Sequence, residues 1–461
     1  MPAPAELLQR TAELAIEYLE GVAERPVGPP MTADGLRATL GGDLPDGGTD
    51  PAAVIEALAA GADPGLVASA GPRYFGFVTG GSLPAALAAD WLTSAWDQNG
   101  ISYVASPAAS VVEEIAGRWV LDVLGLPARA SVGFATGATV ANVIGLAAAR
   151  HGVLARAGWD VAANGLIGAP RVRILVGEEV HASALEALRV IGFGSETAER
   201  VPVDAQGAMR PDALREHLEG ATGPLIVLAQ AGNVNSGALD PLGPIVEATH
   251  AAGGWVHVDG AFGLWAAASP RHRPLLAGVE GADSWATDAH KWLNVPYDCG
   301  IVAVRDRDAH YRSMRMSGAY LMPAPDRELD PFDWVPEGSR RARAMTVYAA
   351  LRSLGRAGLA ALVERCCDLA RRMADRLAAE PGIEILNDVV LNQVLVRFGA
   401  SDERTREVIA AVQRDGTCWA GGTTWHGVAA MRISVSNWST TEADIERSAD
   451  AIVRCARAPA A

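Results

Sequence analysis

Apolar residues recur at helical spacing over residues 5–24, with Leu7, Leu8, Ala12, Leu14, Ala15, Tyr18, Leu19 and Val22 on one side. This predicts an amphipathic helix. A Pro/Gly-rich connector, "RPVGPPMTADGL", follows, then a second helical pattern at about 51–60, ended by "GPRYFGFVTGGSLP". The segment is too small and too amphipathic to hold itself together. It is expected to pack on another subunit or on the main domain.

From about 85 to 305 the period switches repeatedly. Short β-branched runs predict strands at 171–177, 224–230, 254–260, 283–287 and 300–305. Helical patterns fall at 108–124, 138–151, 182–191, 211–219 and 243–252. Such alternation predicts an α/β fold with a mainly parallel sheet covered by helices. After about 356 the order changes to a long helix (356–379), strands "IEIL" and "QVLVRF", a helix (402–414), the strand 430–436 and a last helix (441–456). The expected organisation is an N-terminal helical segment (1–80), a large domain (81–355) and a small α+β domain (356–461).

Composition narrows this picture. With 49% hydrophobic and 20% charged residues, the chain reads as an ordinary globular protein. Its net charge of −15 argues against nucleic acid or an anionic membrane as main partner. No apolar run is expected to approach the roughly 20 residues that span a bilayer. The N-terminus lacks the pattern of a signal peptide, and the five cysteines show no metal-ligand spacing. The expectation is a cytoplasmic protein without disulfides and without a metal.

Four features carry chemistry. "GFATGATVANVIG" runs a Gly/Thr turn straight into a helix; Thr136, Gly137 and Thr139 there form either an anion cradle or a plain capped helix. His181 follows a strand and precedes a helix, where ligands gather in open α/β sheets, or where a histidine merely bonds locally. "WVHVD" ends an apolar strand with Asp259, on the same face as His257. That carboxylate needs a protonated ring nitrogen, a helix start or an arginine. Lys291, in "DAHKW", is either a surface charge or a nucleophilic amine. In this order the four match pyridoxal 5′-phosphate, which needs N–H donors for its phosphate, a stacking face, an acid at its ring nitrogen and an amine for its aldehyde.

The motifs "HVDGAFG" and "DAHKW" resemble those of the pyridoxal-dependent group II decarboxylases, which include aromatic amino acid and glutamate decarboxylases, and the likeness runs nearly the whole chain. The resemblance implies a fold-type I pyridoxal enzyme with a seven-stranded-type sheet and an obligate homodimer whose active site lies at the subunit interface. It implies that Lys291 forms the Schiff base, Asp259 faces the pyridinium, His181 stacks on the ring and Ala261 lies on the opposite face. Ala135, Thr136 and Gly137 then hold the phosphate, with Asp288 and His290 near it and Asn233 beside the ring oxygen. On the substrate side it points to Tyr74, Phe75 and Phe77, to Gln98 and Asn99 reaching across the dimer, and to Arg432 for a carboxylate. A structural ion pair remains the alternative for Arg432.

The implied activity is decarboxylation of an L-amino acid through a quinonoid intermediate. One departure matters. The family's mobile loop usually carries a catalytic tyrosine, but residues 321–341 contain none. They offer Phe332 and Trp334, with Tyr320 just before. Members with phenylalanine there act as aldehyde synthases, which leaves oxidative deamination to an aldehyde as the alternative outcome. Aminotransferase or lyase chemistry is a more distant one.

Overall fold

The computed structural model describes residues 4–28, 31–316 and 328–459. By internal contact the chain divides into two units. The larger comprises residues 80–371 and 386–394; the smaller comprises the described residues up to Thr79 together with 372–385 and those from 395 onward.

The larger unit is built on a seven-stranded sheet. Its strands are β1 (Ser131–Ala135), β2 (Arg173–Gly177), β3 (Glu199–Val201), β4 (Leu225–Gln230), β5 (Trp255–Asp259), β6 (Ser284–Asp288) and β7 (Gly300–Val304). They are ordered β1-β7-β6-β5-β4-β2-β3. Strands β2 to β6 pair in parallel, and β7 runs antiparallel to both its neighbours, β1 and β6. The predicted mainly parallel sheet is therefore present, with one reversed strand. Every residue of β5, β6 and β7 is buried, as expected for central strands covered on both faces.

The helix Ala138–Arg156 packs on β5, β6 and β7. It corrects one expectation. At 19 residues it is long and apolar enough, by length and composition, to cross a membrane, yet 72% of its apolar stretch is buried inside the protein.

The second sheet has β8 (Ile383–Ile385), β9 (Gln393–Phe398), β10 (Gly421–Trp425) and β11 (Val428–Ser434), ordered β10-β11-β9-β8, and all but the first two residues of β9 belong to the smaller unit. β10 with β11 and β8 with β9 are antiparallel pairs. The smaller unit's N-terminal helix, Pro4–Gly21, has no buried residue, although Leu8, Ile16 and Leu19 face outward. The helix predicted over 356–379 is present: Gly355 (φ 61°) separates it from a preceding helix that begins at Ala344, and it continues to Ala378.

One buried ion pair ties the large unit together beside β1. Arg340 Nη1 donates to both carboxylate oxygens of Glu113 at 2.9 Å, and Nη2 donates to the carbonyl of Phe134 at 2.7 Å. Both side chains are within 3% of full burial. Arg340→Leu leaves Glu113 buried and unpaired, and is expected to cost about 3–5 kcal/mol of stability. A lower urea midpoint, partly restored by adding Glu113→Leu, checks this.

Candidate active site

The register places the ends of three strands side by side. Ala135 at the end of β1 and Asp288 at the end of β6 both pair with Gly300, the first residue of β7. On the other side of β6, Asp259 ends β5 opposite Ala286. Gly300 is required by space: a Cβ there would come within 2.6 Å of the Gly137 backbone. The turn Thr136–Gly137 then opens the helix Ala138–Arg156, whose N-cap residue, Gly137, has no side chain to cap it. Thr136 and Gly137 are half-buried, and Thr139 is exposed.

Lys291 is the single lysine of the 461-residue chain. Its Nζ lies 3.1 Å from Asp288 Oδ2. Asp288 Oδ1 accepts the backbone N–H of Ala138, in the first turn of the helix, at 2.5 Å. His290 completes the group. Its Nδ1 accepts from the N–H of Cys299 (3.2 Å), so the neutral ring carries its proton on Nε2, 3.5 Å from Asp288 Oδ1. Burial lowers the His290 pKa, opposed by the nearby Asp288 charge. Gly80 also belongs here, because a Cβ on it would meet the Lys291 carbonyl at 2.0 Å. Gly81 N–H donates to Asn294 Oδ1 at 2.7 Å, fixing the turn after the lysine. In the stretch "RYFGFVTGG" it is the last two residues, Gly80 and Gly81, that meet the lysine turn.

Asp259 is buried (5% exposed). Its Oδ1 accepts from the N–H of Ala261 (3.1 Å) and its Oδ2 from the side-chain amide of Asn142 (3.0 Å). Sequence reasoning missed Asn142. The available signal was its place on the helix that follows the Gly/Thr turn.

His181 is the N-cap of the helix Ala182–Val190; its Nδ1 accepts from Ser183 N–H and lies 2.7 Å from the Ser183 hydroxyl. Asn233 is buried, and its Oδ1 accepts from the N–H groups of Asn235 and Ser236, which shapes the turn after β4. Ala261 is half-buried, and its carbonyl accepts the Asp288 N–H at 2.8 Å.

The remaining candidates have the following partners. Gln98 and Asn99 are exposed. Gln98 bonds the Trp96 carbonyl and the Ser106 hydroxyl, and Asn99 accepts from Arg340 N–H. Phe332 is buried and donates its N–H to the Ile101 carbonyl. Trp334 is buried against His310 and Tyr311, with the Arg307 guanidinium 4.9 Å over its ring. Among the described residues no hydrogen bond or ring contact joins either to the Lys291 group. Tyr320 lies outside the described residues. In the smaller unit, the rings of Tyr74 and Phe77 stack on Trp419 at 5.1 and 5.5 Å. Phe75 is buried in its core, and Phe77 is 65% exposed. Arg432 pairs with Gly421 across β10–β11, and burial lowers its pKa.

This donor set suits pyridoxal 5′-phosphate. Each oxygen of Asp259 accepts one N–H, which leaves lone pairs for a further donor. An amine stands at the end of the neighbouring strand, and a helix start lies beside it. Sheet and site together define an α/β enzyme of the pyridoxal-phosphate class.

Comparison with known proteins fixes the family. Residues 35–399 match the pyridoxal-dependent decarboxylase conserved domain, and the chain belongs to that family of PLP-dependent amino acid decarboxylases. It is 26% identical over 416 residues to an aromatic-L-amino-acid decarboxylase of Bacillus atrophaeus, covering 89% of this chain and 84% of that one. It is also 26% identical over 471 residues to a phenylacetaldehyde synthase of Arabidopsis thaliana, covering 96% and 95%. The crystal structure of Oryza sativa TDC with PLP and tryptamine superposes with a TM-score of 0.91 at 25% identity, covering 99% of each chain.

Proposed function

We propose that this protein decarboxylates an aromatic L-amino acid to the corresponding amine, as a homodimer. The observation that carries the reading is the pairing of the chain's one lysine with Asp288 at the end of β6, next to the fixed Asp259 carboxylate at the end of β5. Pyridoxal phosphate, when bound, supplies the electron sink that makes the Cα–carboxylate bond breakable.

The chain's residues would do the rest. Lys291 would provide the amine that holds the cofactor. Asp259 would keep a proton on the ring nitrogen. His181 and Ala261 are the residues proposed for the two ring faces, and Asn233 the one for the ring oxygen. Ala135, Thr136 and Gly137 would hold the phosphate, helped by Asp288 and His290. Arg432, half-buried on β11, is the residue proposed for a substrate carboxylate. Support for an aromatic substrate comes from the ligands and names of the relatives. Gln98 and Asn99, exposed in the single chain, are the residues proposed to reach a partner's site.

The second reading is oxidative deamination to an aldehyde. It is favoured by the absence of tyrosine from residues 321–341 and by the likeness to an aldehyde synthase. One assay separates the two. Purified holoenzyme is offered single amino acids while carbon dioxide, amine, aldehyde and peroxide are recorded. Carbon dioxide with an equal amount of amine is the expected result. Carbon dioxide with aldehyde and peroxide would replace the first reading by the second.

A further inference from the structure

We propose that Asn142, His257 and Ser284 form a one-way hydrogen-bond relay that orients the Asp259 carboxylate toward the cofactor ring, making them positioning residues for the reaction. The inference rests on the reading above that Asp259 faces the ring nitrogen.

The direction of each bond follows from what each group can give. A carboxylate only accepts, so Asn142 must turn its NH₂ toward Asp259 Oδ2, at 3.0 Å. Its carbonyl oxygen is then left to accept, and His257 Nε2 lies 2.9 Å from it. His257 must therefore carry its proton on Nε2. Its Nδ1 becomes an acceptor, 2.8 Å from the Ser284 hydroxyl. Ser284 gives its proton there and receives one from Trp255 Nε1–H at 2.9 Å. Every donor from Trp255 to Asn142 thus points toward Asp259, and every buried polar atom on the way has a partner.

The ring of His257 holds a single proton because it is neutral. Burial pushes its pKa down to about 4, against the pull of Asp259, the one charge acting on it among the described residues. The groups packed around it are otherwise uncharged: Asn142 and Gly145 on the helix, Ser284 on β6 and Leu228 on β4.

A second observation is steric. The helix Ala138–Arg156 carries glycine at 145 and 152, two turns apart on one face. A Cβ on Gly145 would stand 2.5 Å from the His257 ring, and one on Gly152 would stand 2.7 Å from the Trp255 ring. The helix is thinned at the two places where the rings of the relay meet it. This closeness lets Asn142, one turn before Gly145, reach both His257 and Asp259.

The test measures the dissociation constant of pyridoxal phosphate and the visible circular dichroism per bound cofactor, alongside turnover. Asn142→Leu keeps the shape and removes both bonds; His257→Phe removes the donor. Each is expected to weaken cofactor binding about ten- to a hundredfold, the value of a bond to a charged group, and to shrink the dichroism. His257→Gln retains an N–H at the Nε2 position and is expected to stay within about threefold of wild type. If Gln is as poor as Phe, or Phe as good as wild type, the relay is overturned. Asp259→Ala separates the two levels. If it binds and orients the cofactor normally, the role of Asp259 fails and the relay fails with it. If it is defective while both Asn142→Leu and His257→Phe are normal, only the relay fails. Should Asn142→Leu not fold, the Phe and Gln comparison at 257 decides.

Discussion

Lys291→Ala is expected to abolish turnover, lowering kcat by about a thousandfold or more, because no other ε-amine in the chain can take its place. The single lysine makes the test unusually clean. Borohydride reduction of the holoenzyme should fix the cofactor to one peptide, the one containing residue 291. The N-terminal amine is the other candidate amine, and mass spectrometry tells the two apart. Wild type should carry one label at 291, and the variant should carry none. Label elsewhere, or turnover within tenfold of wild type, would remove Lys291 from the chemistry. The environment explains why this amine suits the task. It is largely shielded, with side-chain exposure of 18%, and is paired with a carboxylate that also takes the first free amide of a helix. Releasing the cofactor from the amine therefore leaves the ammonium with a partner in place.

Much of this site is readable along the chain because it sits at strand ends. Asp259 closes a fully buried strand, where a carboxylate is conspicuous, whereas Asp288 ends β6 one residue past the predicted 283–287 strand and is marked only by the motif around Lys291. The elements that were not legible share a different trait. β1 (SVGFA) and β10 (GGTTW) are short and contain glycine, and β3 has three residues, so their pattern is too brief to register. The helix Pro84–Trp96 is apolar on several sides, with Trp91, Leu92 and Trp96 exposed, so its periodicity is blurred. Asn142 was invisible for a third reason. An asparagine inside a helix reads as a poor helix former, and only the fold brings it to Asp259 from 117 positions away. Phe332 and Trp334 show the reverse. An aromatic in a loop looks the same whether it meets a substrate or fills a core, and here both are buried.

Replacing Asp259 should have the second-largest effect. Asp259→Asn keeps the size and the capacity to accept from Ala261, but loses the charge. A neutral carboxamide cannot hold a proton on a ring nitrogen as a carboxylate does. The electron sink would be weakened where negative charge develops, and kcat is expected to fall about a hundred- to a thousandfold. Asn142 sharpens the expectation, because its NH₂ points at the position of Oδ2. If the substituted carboxamide presents its own NH₂ there, two donors face each other; if it presents its oxygen, its NH₂ faces the Ala261 N–H. Either orientation leaves a buried donor without an acceptor, so cofactor affinity should drop together with kcat. A cofactor analogue with a permanently charged, N-methylated ring needs no proton from the protein. It should recover part of the kcat lost in Asp259→Asn while doing nothing for Lys291→Ala. No recovery with the analogue would mean that Asp259 acts by shaping the pocket and not through its charge.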